Sequence, residues 1–365
     1  MVLNSYDELK NYFDNKKIDN LFVVCFDIIK EFPIYNYLEE LKIKKTYFSD
    51  FQPNPSYESV CEGIKLFKKS KSNYILAIGG GSSLDVAKCI KLFATLDPKT
   101  NYLEQEFKDN DITLIAVPTT AGTGSEATRY AVIYYQNKKQ SVTHNSIVPS
   151  VVLFDSKMLD SLPLYQKKAT VLDALSHAIE SFWSVNSTDE SKKYSREAIE
   201  IINKYFDDYL SGDNTVNKNM LEAANLAGKA INITQTTAGH AMCYKLTSLY
   251  GISHGHAACL INSFLLPFMV EHLDKCIDPR GKEYLSDVFN ELVSVFNLNN
   301  LTDLKEYLGK LLDVLDLYDV KVNEKDLDEL VSSVNLDRLK NNPIKLDKED
   351  IYEIYHSLFK KIEKR

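Results

Sequence analysis

The stretch YILAIGGGSSLDVAKCIKLF (Tyr74–Phe93) decides the fold that we predict for the first half of the chain. Its first five residues form a short apolar run, which is typical of a strand buried on both faces of a parallel sheet. Gly79, Gly80 and Gly81 follow at once, and helical apolar spacing begins after them. A strand, a glycine turn and a helix in this order aim free backbone N–H groups and a positive helix end at an anion. The stretch lacks the third glycine of GxGxxG and the GK[ST] ending of a phosphate loop, so a plain tight turn is the alternative.

A second loop of the same type follows a second strand. Asp111–Val117 (DITLIAV) predicts a buried strand that ends in the loop PTTAGTGSE, Pro118–Glu126. Loops at the carboxyl ends of neighbouring parallel strands form the ligand crevice of an open sheet. We therefore expect both loops to line one dinucleotide site, with threonine hydroxyls and backbone N–H groups toward the phosphates and the nicotinamide amide.

Three further segments extend the predicted sheet region. Leu21–Phe26 (LFVVCF) indicates another buried strand, with Asp27 at its end. Tyr130–Val142 (YAVIYYQNKKQSV) indicates a strand that enters a polar turn, as in half of a hairpin. Ser150–Phe154 (SVVLF) predicts the strand that closes the region at Asp155.

The pattern changes after Pro163. Strand-like runs end there, and segments of helical periodicity replace them at 166–183, 190–210, 217–230, 257–272, 282–296, 301–315 and 348–363. The sequence therefore predicts two domains. Residues 1–162 form an α/β dinucleotide-binding domain with a Rossmann-like parallel sheet, and residues 163–365 form an all-α metal-binding domain.

Composition and charge argue against several classes of function. The chain carries 43 Lys+Arg and 51 Asp+Glu, a net charge of −8, whereas a general nucleic-acid binder needs a broad basic surface. The six cysteines are scattered without a CxxC pair, as expected of reduced thiols. The first residues show no signal-peptide pattern, and no apolar run reaches the roughly 18 residues that span a bilayer. We expect a cytoplasmic enzyme that acts on a small molecule, with no nucleic-acid or membrane partner.

Four side chains of the second half are predicted to hold a metal ion. Asp173 and His177 lie four residues apart in VLDALSHAIESFW, so a helix places both on one face. A carboxylate in such an apolar segment is costly unless it is paired or metal-bound, and pairing with a backbone N–H or with His177 is the alternative. His240 and His254 lie among small residues in AGHAMCYKLTSLYGISHGHAAC (Ala238–Cys259). One carboxylate and up to three imidazoles suit Fe²⁺ or Zn²⁺, and we hypothesise that these four side chains bind one such ion between the two domains.

Five motifs in this order resemble the iron-containing (group III) alcohol dehydrogenases, relatives of glycerol dehydrogenase and dehydroquinate synthase. They are PNP (53–55), GGGSSLDVAK (79–88), PTTAGTGSEAT (118–128), DALSHAIES (173–181) and GHAMCYKLTSLYGISHGHA (239–257). The resemblance implies a dehydroquinate synthase-like architecture, an NAD(P)-dependent alcohol dehydrogenase and a homodimer. It also implies that iron or zinc is held by Asp173, His177, His240 and His254.

The resemblance assigns the dinucleotide site as well. Carried over by motif, the pyrophosphate is held by Gly80, Gly81 and Ser82, and the rest of the dinucleotide meets Asp85, Thr119, Thr120, Thr123 and, by a looser match, Lys139. From its place at a strand end, Asp27 favours NAD over NADP, because a carboxylate accepts hydrogen bonds from a ribose diol and repels a 2′-phosphate. A helix-capping role for Asp27 is the alternative.

Tyr244 departs from the family pattern. Many members carry a histidine there, four residues after the one that matches His240, as part of a proton relay. The string HAMCYKLTSLYGISHGHA is most similar to phosphonoacetaldehyde reductases (2-hydroxyethylphosphonate dehydrogenases).

We therefore predict reversible hydride transfer between NAD(P)H and a small aldehyde, with the metal as a Lewis acid toward the carbonyl oxygen. Tyr244 or His256 would relay the proton, and Lys245 would balance a phosphonate charge unless it is a solvated surface amine.

Other functions remain open on the sequence. A general short-chain alcohol or polyol dehydrogenase of the same family shares all of these motifs. A dehydroquinate synthase-like lyase would need several more basic residues around the metal. A regulator that has lost catalysis predicts broken metal ligands, and a non-haem Fe(II) oxygenase usually has a β-barrel scaffold.

Overall fold

The computed structural model describes residues 1–136 and 138–364 and divides into two compact units. The first comprises Met1–Leu162 with Gly212–Leu221, and the second comprises Pro163–Ser211 and the chain from Glu222 onward. Asn217 ties the short inserted segment to the first unit, because its side-chain amide donates to the Asp160 carboxylate at 2.9 Å.

The first unit contains a parallel sheet, as predicted. Its strands are β1 (Val2–Leu3), β2 (Asn20–Cys25), β3 (Lys44–Phe48), β4 (Tyr74–Gly79), β5 (Thr113–Pro118), β6 (Tyr130–Tyr135), β7 (Lys138–Thr143) and β8 (Val151–Leu153). Six of these strands pair in the order β1-β8-β5-β4-β2-β3, all in parallel. Ile78 lies opposite both Val117 and Cys25, so β2, β4 and β5 end at one edge of the sheet. The remaining two strands, β6 and β7, pair with each other in antiparallel orientation.

The continuous apolar runs arise because both faces of the sheet are buried. Phe22 and Val24 of β2 pack into one core, while Leu21 and Val23 pack into the other. Helices cover the two faces: α1 (Tyr6–Lys16) and α2 (Pro33–Glu40) lie on one side, and α3 (Tyr57–Ser70) and α4 (Gly81–Phe93) lie on the other.

The sequence pattern missed the edge strands β1 and β3. The first is only two residues long, and β3 (KKTYF) begins with two lysines and is mostly half-buried. An edge strand has one unpaired side and is protected by charge, so it carries no continuous apolar run.

The second unit is helical, which confirms the predicted all-α half. Its helices are α5 (Leu164–Trp183), α6 (Asp189–Ser211), α7 (Asn217–Thr234, which starts within the inserted segment), α8 (Ala238–Tyr250), α9 (His254–Glu271), α10 (Lys282–Val295), α11 (Leu301–Val314), α12 (Leu327–Ser333) and α13 (Lys348–Glu363). The short helix α12 was not predicted, and α9 begins three residues earlier than its apolar pattern indicated. In the described part of the chain, no helix is both long and apolar enough to cross a membrane.

Candidate metal centre and dinucleotide loops

Three helices of the second unit carry the predicted metal ligands. Asp173 and His177 lie on α5, His240 lies in the first turn of α8, and His254 is the first residue of α9. Gly251 ends α8 with a φ of 67°, a left-handed conformation that glycine adopts without strain. This turn separates α8 from α9 and places His254 at the start of a new helix.

Gly255 allows α9 to approach α5 closely. A Cβ atom at this position would lie 2.1 Å from the carbonyl oxygen of Ala169 and 2.4 Å from the Cβ of Asp173. Neither neighbour is a flexible side-chain end, so a larger residue would push the helices apart. The glycine beside His254 therefore brings that histidine to the aspartate.

The structure brings three of the four predicted ligands together. Asp173, His240 and His254 each offer a ligand atom within 4.8 Å of the other two. His177 borders this group: its ring stacks on the His240 ring at 4.4 Å between centroids, and its Nε2 lies 4.0 Å from Asp173 Oδ1. The assignment of His177 as a fourth ligand stays a prediction.

Two buried atoms at the centre of the cluster suit a bound cation. Asp173 Oδ1 and His240 Nε2 are 3.4 Å apart, yet neither has a hydrogen-bond partner among the described residues. Asp173 is 3% exposed and His240 2% exposed. Leaving such groups unsatisfied costs roughly 1–3 kcal/mol each, and a divalent metal with nitrogen and oxygen ligands would satisfy both. The donor set therefore fits the predicted ion.

Glu180 is a site residue that the sequence reasoning missed. This fully buried carboxylate accepts a hydrogen bond from His240 Nδ1 at 2.6 Å and from the Thr237 backbone N–H at 2.7 Å. The Thr237 hydroxyl (2.8 Å) and the Asn262 side-chain amide (2.9 Å) also donate to it. Its signal was present in the sequence, because Glu180 follows Asp173 by seven residues, on the same face of an apolar helix.

Mutual electrostatics explain how two carboxylates are kept charged inside the protein. Burial would raise the pKa of Asp173, but the imidazoles of His177, His240 and His254 outweigh it and hold the pKa well below its usual range. For Glu180, His240 and the hydrogen-bond donors likewise overcome burial and lower the pKa to about 2. Burial would lower the pKa of His240, but the two carboxylates raise it to about 9. Without a metal, a proton on His240 thus balances part of the negative charge.

Tyr244 lies against the metal cluster. Its ring stacks on that of His254, with 5.3 Å between centroids and 15° between planes. Its hydroxyl accepts a hydrogen bond from Arg338 Nη1 at 3.0 Å, a contact that sequence spacing could not reveal because 94 residues separate the two. Burial raises the pKa of the Tyr244 phenol well above its usual value, although Arg338 opposes the rise.

The other two predicted catalytic residues are held by partners of their own. His256 is buried, with Nε2 2.6 Å from the Leu317 carbonyl oxygen and Nδ1 3.2 Å from the Tyr165 hydroxyl. Lys245 Nζ forms an ion pair with Glu329 at 2.5 Å. Both ring nitrogens of His256 and the charge of Lys245 thus have partners in the protein, and the catalytic roles of the two residues stay predictions.

In the first unit, the two glycine-rich loops lie side by side. A Cβ atom at Gly80 would lie 3.2 Å from Thr120, and one at Gly81 would lie 3.2 Å from Thr123. The Thr119 N–H donates to the Gly79 carbonyl at 3.1 Å. The loops predicted to bind one dinucleotide are therefore adjacent at the ends of β4 and β5.

Ser82 and Asp85, two other predicted cofactor residues, make hydrogen bonds to segments next to these loops. Ser82 Oγ accepts a hydrogen bond from the Asn54 N–H at 3.4 Å, which links the PNP turn to the first loop. Asp85 accepts from the Ser125 hydroxyl at 3.1 Å and the Val132 N–H at 3.0 Å.

Burial raises the pKa of Asp85 to about 6, although the positive charges of Lys88 and Lys139 oppose the rise. Asp27 lies just beyond β2, where its carboxylate accepts a hydrogen bond from Ser49 at 2.9 Å.

Comparisons with known proteins show the family of this chain. The profile "Iron-containing alcohol dehydrogenase" matches residues 3–156, and "Fe-containing alcohol dehydrogenase family, C-terminal" matches residues 167–359. Alcohol dehydrogenase 4 of Schizosaccharomyces pombe is 31% identical over 88% of this chain and 76% of its own length. The NADPH-dependent butanol dehydrogenase of Clostridium saccharobutylicum is 26% identical over 89% of this chain and 87% of its own.

A solved structure extends the match to nearly the whole fold. The sulfoacetaldehyde reductase of Bifidobacterium kashiwanohense, determined in complex with NAD⁺, superposes with a TM-score of 0.86 at 22% identity and covers 98% of this chain and 96% of its own. Together with the two profile matches, which implicate a metal and NAD(H), these similarities show that the chain is an oxidoreductase belonging to the iron-containing alcohol dehydrogenase family.

Proposed function

We propose that this protein is a metal-dependent, NAD(H)-linked reductase of a small aldehyde with an anionic head group, with phosphonoacetaldehyde as substrate and 2-hydroxyethylphosphonate as product. The observation that carries the proposal is the buried pair Asp173 Oδ1 and His240 Nε2, which lacks hydrogen-bond partners within the described residues. Such a pair is what a metal-dependent member of the family requires.

The roles of the side chains follow from their geometry. Asp173, His240 and His254 would hold the metal, with His177 as a fourth ligand, and a bound metal supplies a Lewis acid for the aldehyde carbonyl. Asp173 and His240 are almost completely buried, while His254 is partly exposed. The substrate therefore approaches from the His254 side.

Tyr244 is the proposed proton donor. It stacks on His254, and its raised pKa keeps the phenol protonated at neutral pH. It can therefore donate to an alkoxide that forms as hydride arrives. His256 is the less favoured relay, because both of its ring nitrogens have partners elsewhere.

Arg338 supports the anionic head group. Its guanidinium donates to the Tyr244 hydroxyl at 3.0 Å, so a cation lies one side chain away from a metal ligand. Guanidinium groups bind phosphonate-like oxygens strongly and in a directed way. Lys245 is a weaker counter-charge, since Glu329 already pairs with it. The structurally similar sulfoacetaldehyde reductase is named for an aldehyde of this kind.

We further propose NAD over NADP, with the two glycine-rich loops as the cofactor site. Gly80, Gly81 and Ser82 would hold the pyrophosphate, and Asp27 would bind the ribose diol and repel a 2′-phosphate. Asp85, Thr119, Thr120, Thr123 and Lys139 would complete the site. We propose a cytoplasmic homodimer as its biological form, as the family resemblance implies.

A general short-chain alcohol dehydrogenase is the second candidate. The names of the alcohol dehydrogenase and butanol dehydrogenase relatives favour it, as does the ion pair that occupies Lys245. It predicts equal or better turnover of uncharged aldehydes.

One kinetic experiment separates the two candidates. The metal-loaded enzyme is assayed for NADH and NADPH oxidation with phosphonoacetaldehyde, sulfoacetaldehyde, acetaldehyde and butanal. We expect NADH and phosphonoacetaldehyde to give the highest kcat/KM. We also expect Arg338→Gln to reduce the kcat/KM ratio of phosphonoacetaldehyde to acetaldehyde by about 10- to 100-fold, as for the loss of a hydrogen bond to a charged group.

Lys340→Gln is the matched control, because Lys340 lies on the same segment but is 75% exposed and pairs with Asp337. It should leave the ratio within about twofold, as expected of an exposed ion pair. Equal kcat/KM for acetaldehyde and phosphonoacetaldehyde in the unmodified enzyme would refute the anionic substrate.

A further inference from the structure

Glu180 connects the three helices that carry the metal cluster. It belongs to α5, as do Asp173 and His177. Through its hydrogen bonds it holds Thr237 and His240 at the start of α8, and Asn262 on α9. One buried carboxylate therefore sets the positions of all three ligand-bearing helices relative to one another.

Gly239 of α8 lies close to Glu180 and Asn262. A Cβ atom at Gly239 would lie 2.0 Å from Asn262 Oδ1 and 2.5 Å from Glu180 Oε1. Only a glycine at this position leaves room for the carboxylate and the amide together.

The hydrogen bond from His240 determines which of its ring nitrogens can bind a metal. The Glu180 carboxylate accepts hydrogen bonds from Thr237 and Asn262, and an ionised carboxylate can only accept, so Nδ1 of His240, 2.6 Å from Glu180 Oε1, carries a proton. In the neutral imidazole, the lone pair then lies on Nε2, which is 3.4 Å from Asp173 Oδ1. A metal that displaces the second proton of His240 therefore finds the lone pair on Nε2, on the side of Asp173.

We propose that Glu180 is a positioning residue that fixes His240 in the tautomer that binds metal through Nε2, and that its charge helps to select a divalent ion. This inference rests on the metal site of the proposed function but not on its substrate. With neutral imidazoles, Asp173 and Glu180 together contribute two negative charges, which balance a divalent cation. Outer partners of this kind typically change metal affinity by about 10- to 100-fold.

Glu180→Gln tests the inference directly, because the glutamine amide can keep its hydrogen bonds while His240 takes the tautomer with the proton on Nε2. The Thr237 N–H can only donate, so it holds the new amide oxygen in the place of Oε2. The new amide NH₂ then faces His240 Nδ1 and Asn262. Asn262 can turn its side-chain amide and accept through Oδ1, an atom without a hydrogen-bond partner in the described chain. Nδ1 becomes an acceptor, and the proton moves to Nε2, where it competes with the metal for the lone pair.

The first measurement is metal affinity, determined by chelator competition with Zn²⁺ and, without oxygen, with Fe²⁺. We expect Glu180→Gln to keep a folded circular dichroism spectrum and to bind both ions about 10- to 100-fold more weakly. Thr237→Val is the matched control. It removes the Thr237 hydroxyl, which donates to the Glu180 carboxylate at 2.8 Å. The negative charge of Glu180 and its hydrogen bond from His240 remain. Thr237→Val should lower the melting temperature and keep the affinity within about threefold.

The second measurement is the tautomer of His240, read from ¹⁵N shifts of histidine-labelled protein. We expect a proton on Nδ1 in the zinc-loaded wild type and on Nε2 in Glu180→Gln. This wild-type measurement decides the question even if the variant does not fold. Any one of three results would overturn the inference. The first is a metal affinity of Glu180→Gln equal to that of the wild type, and the second is a loss of affinity in Thr237→Val as large as in Glu180→Gln. The third is a His240 Nδ1 without a proton in the zinc-loaded wild type. A protein that passes these tests but reduces no aldehyde would refute the proposed function alone.

Discussion

The dinucleotide loops and the metal cluster of this protein consist of different kinds of chemical groups. The loops after β4 and β5 are assembled from backbone groups and small side chains, and each loop is continuous with its strand and helix. The metal cluster consists of one carboxylate and imidazole side chains from α5, α8 and α9, and Asp173 and His254 are 81 residues apart in sequence. The loop site therefore depends on local geometry, whereas the metal site depends on how three helices pack. Substitutions at the two sites should differ in size and in their response to pH.

The largest expected effect is the loss of a metal ligand. His254→Ala removes one of three clustered donors, so we expect less than stoichiometric metal and a fall in kcat/KM of about a thousandfold, or roughly 4 kcal/mol in transition-state free energy. Metal content by mass spectrometry and NADH-dependent aldehyde reduction measure the two outcomes, and dinucleotide binding should persist.

His272→Ala is the control for this change, because His272 follows the same helix and its imidazole bonds to and stacks on Phe268, away from the cluster. It should keep both metal and turnover within about twofold, as is usual for substitutions away from a site. If His254→Ala still bound one metal ion per chain, His254 would not be a metal ligand.

An intermediate effect is expected from pH. The pKa of His240 is raised to about 9 in the metal-free protein, so a metal must displace its proton at lower pH. Metal affinity should therefore rise with pH by about tenfold per unit from pH 7 and level off above the pKa. Chelator competition at several pH values measures this slope. Affinity for dinucleotide should change much less over this range, and a flat metal curve would show that His240 binds no metal.

The smallest effect is expected in the glycine loops. Gly81→Ala adds a methyl group 3.2 Å from Thr123 Cγ2, so the second loop must shift by a few tenths of an ångström. Overpacking of this kind costs about 1 kcal/mol, and KM for NADH should rise a few-fold while metal affinity stays unchanged. A loss of metal in Gly81→Ala would show that the two sites are not independent.

Much of the fold was predictable because its signals are local. The apolar runs of β2, β4, β5 and β8 are buried on two faces, and helical periodicity marks most of the second unit. The edge strands β1 and β3 and the short helix α12 escaped prediction, because a half-exposed or very short element has no strong pattern. The four proposed metal ligands came from residue type, spacing and family resemblance together.

The amino-acid sequence alone determined the order of strands and helices, the two glycine-rich loops and the residue types of a divalent-metal site, since each depends on residues that are close together in the chain. Only the tertiary structure decided which side chains contact the residues of the metal site. It placed Glu180 behind His240, Arg338 on Tyr244 and Glu329 on Lys245. These contacts join residues 60 to 94 positions apart, and helix packing, which depends on the shapes of many side chains at once, brings them together.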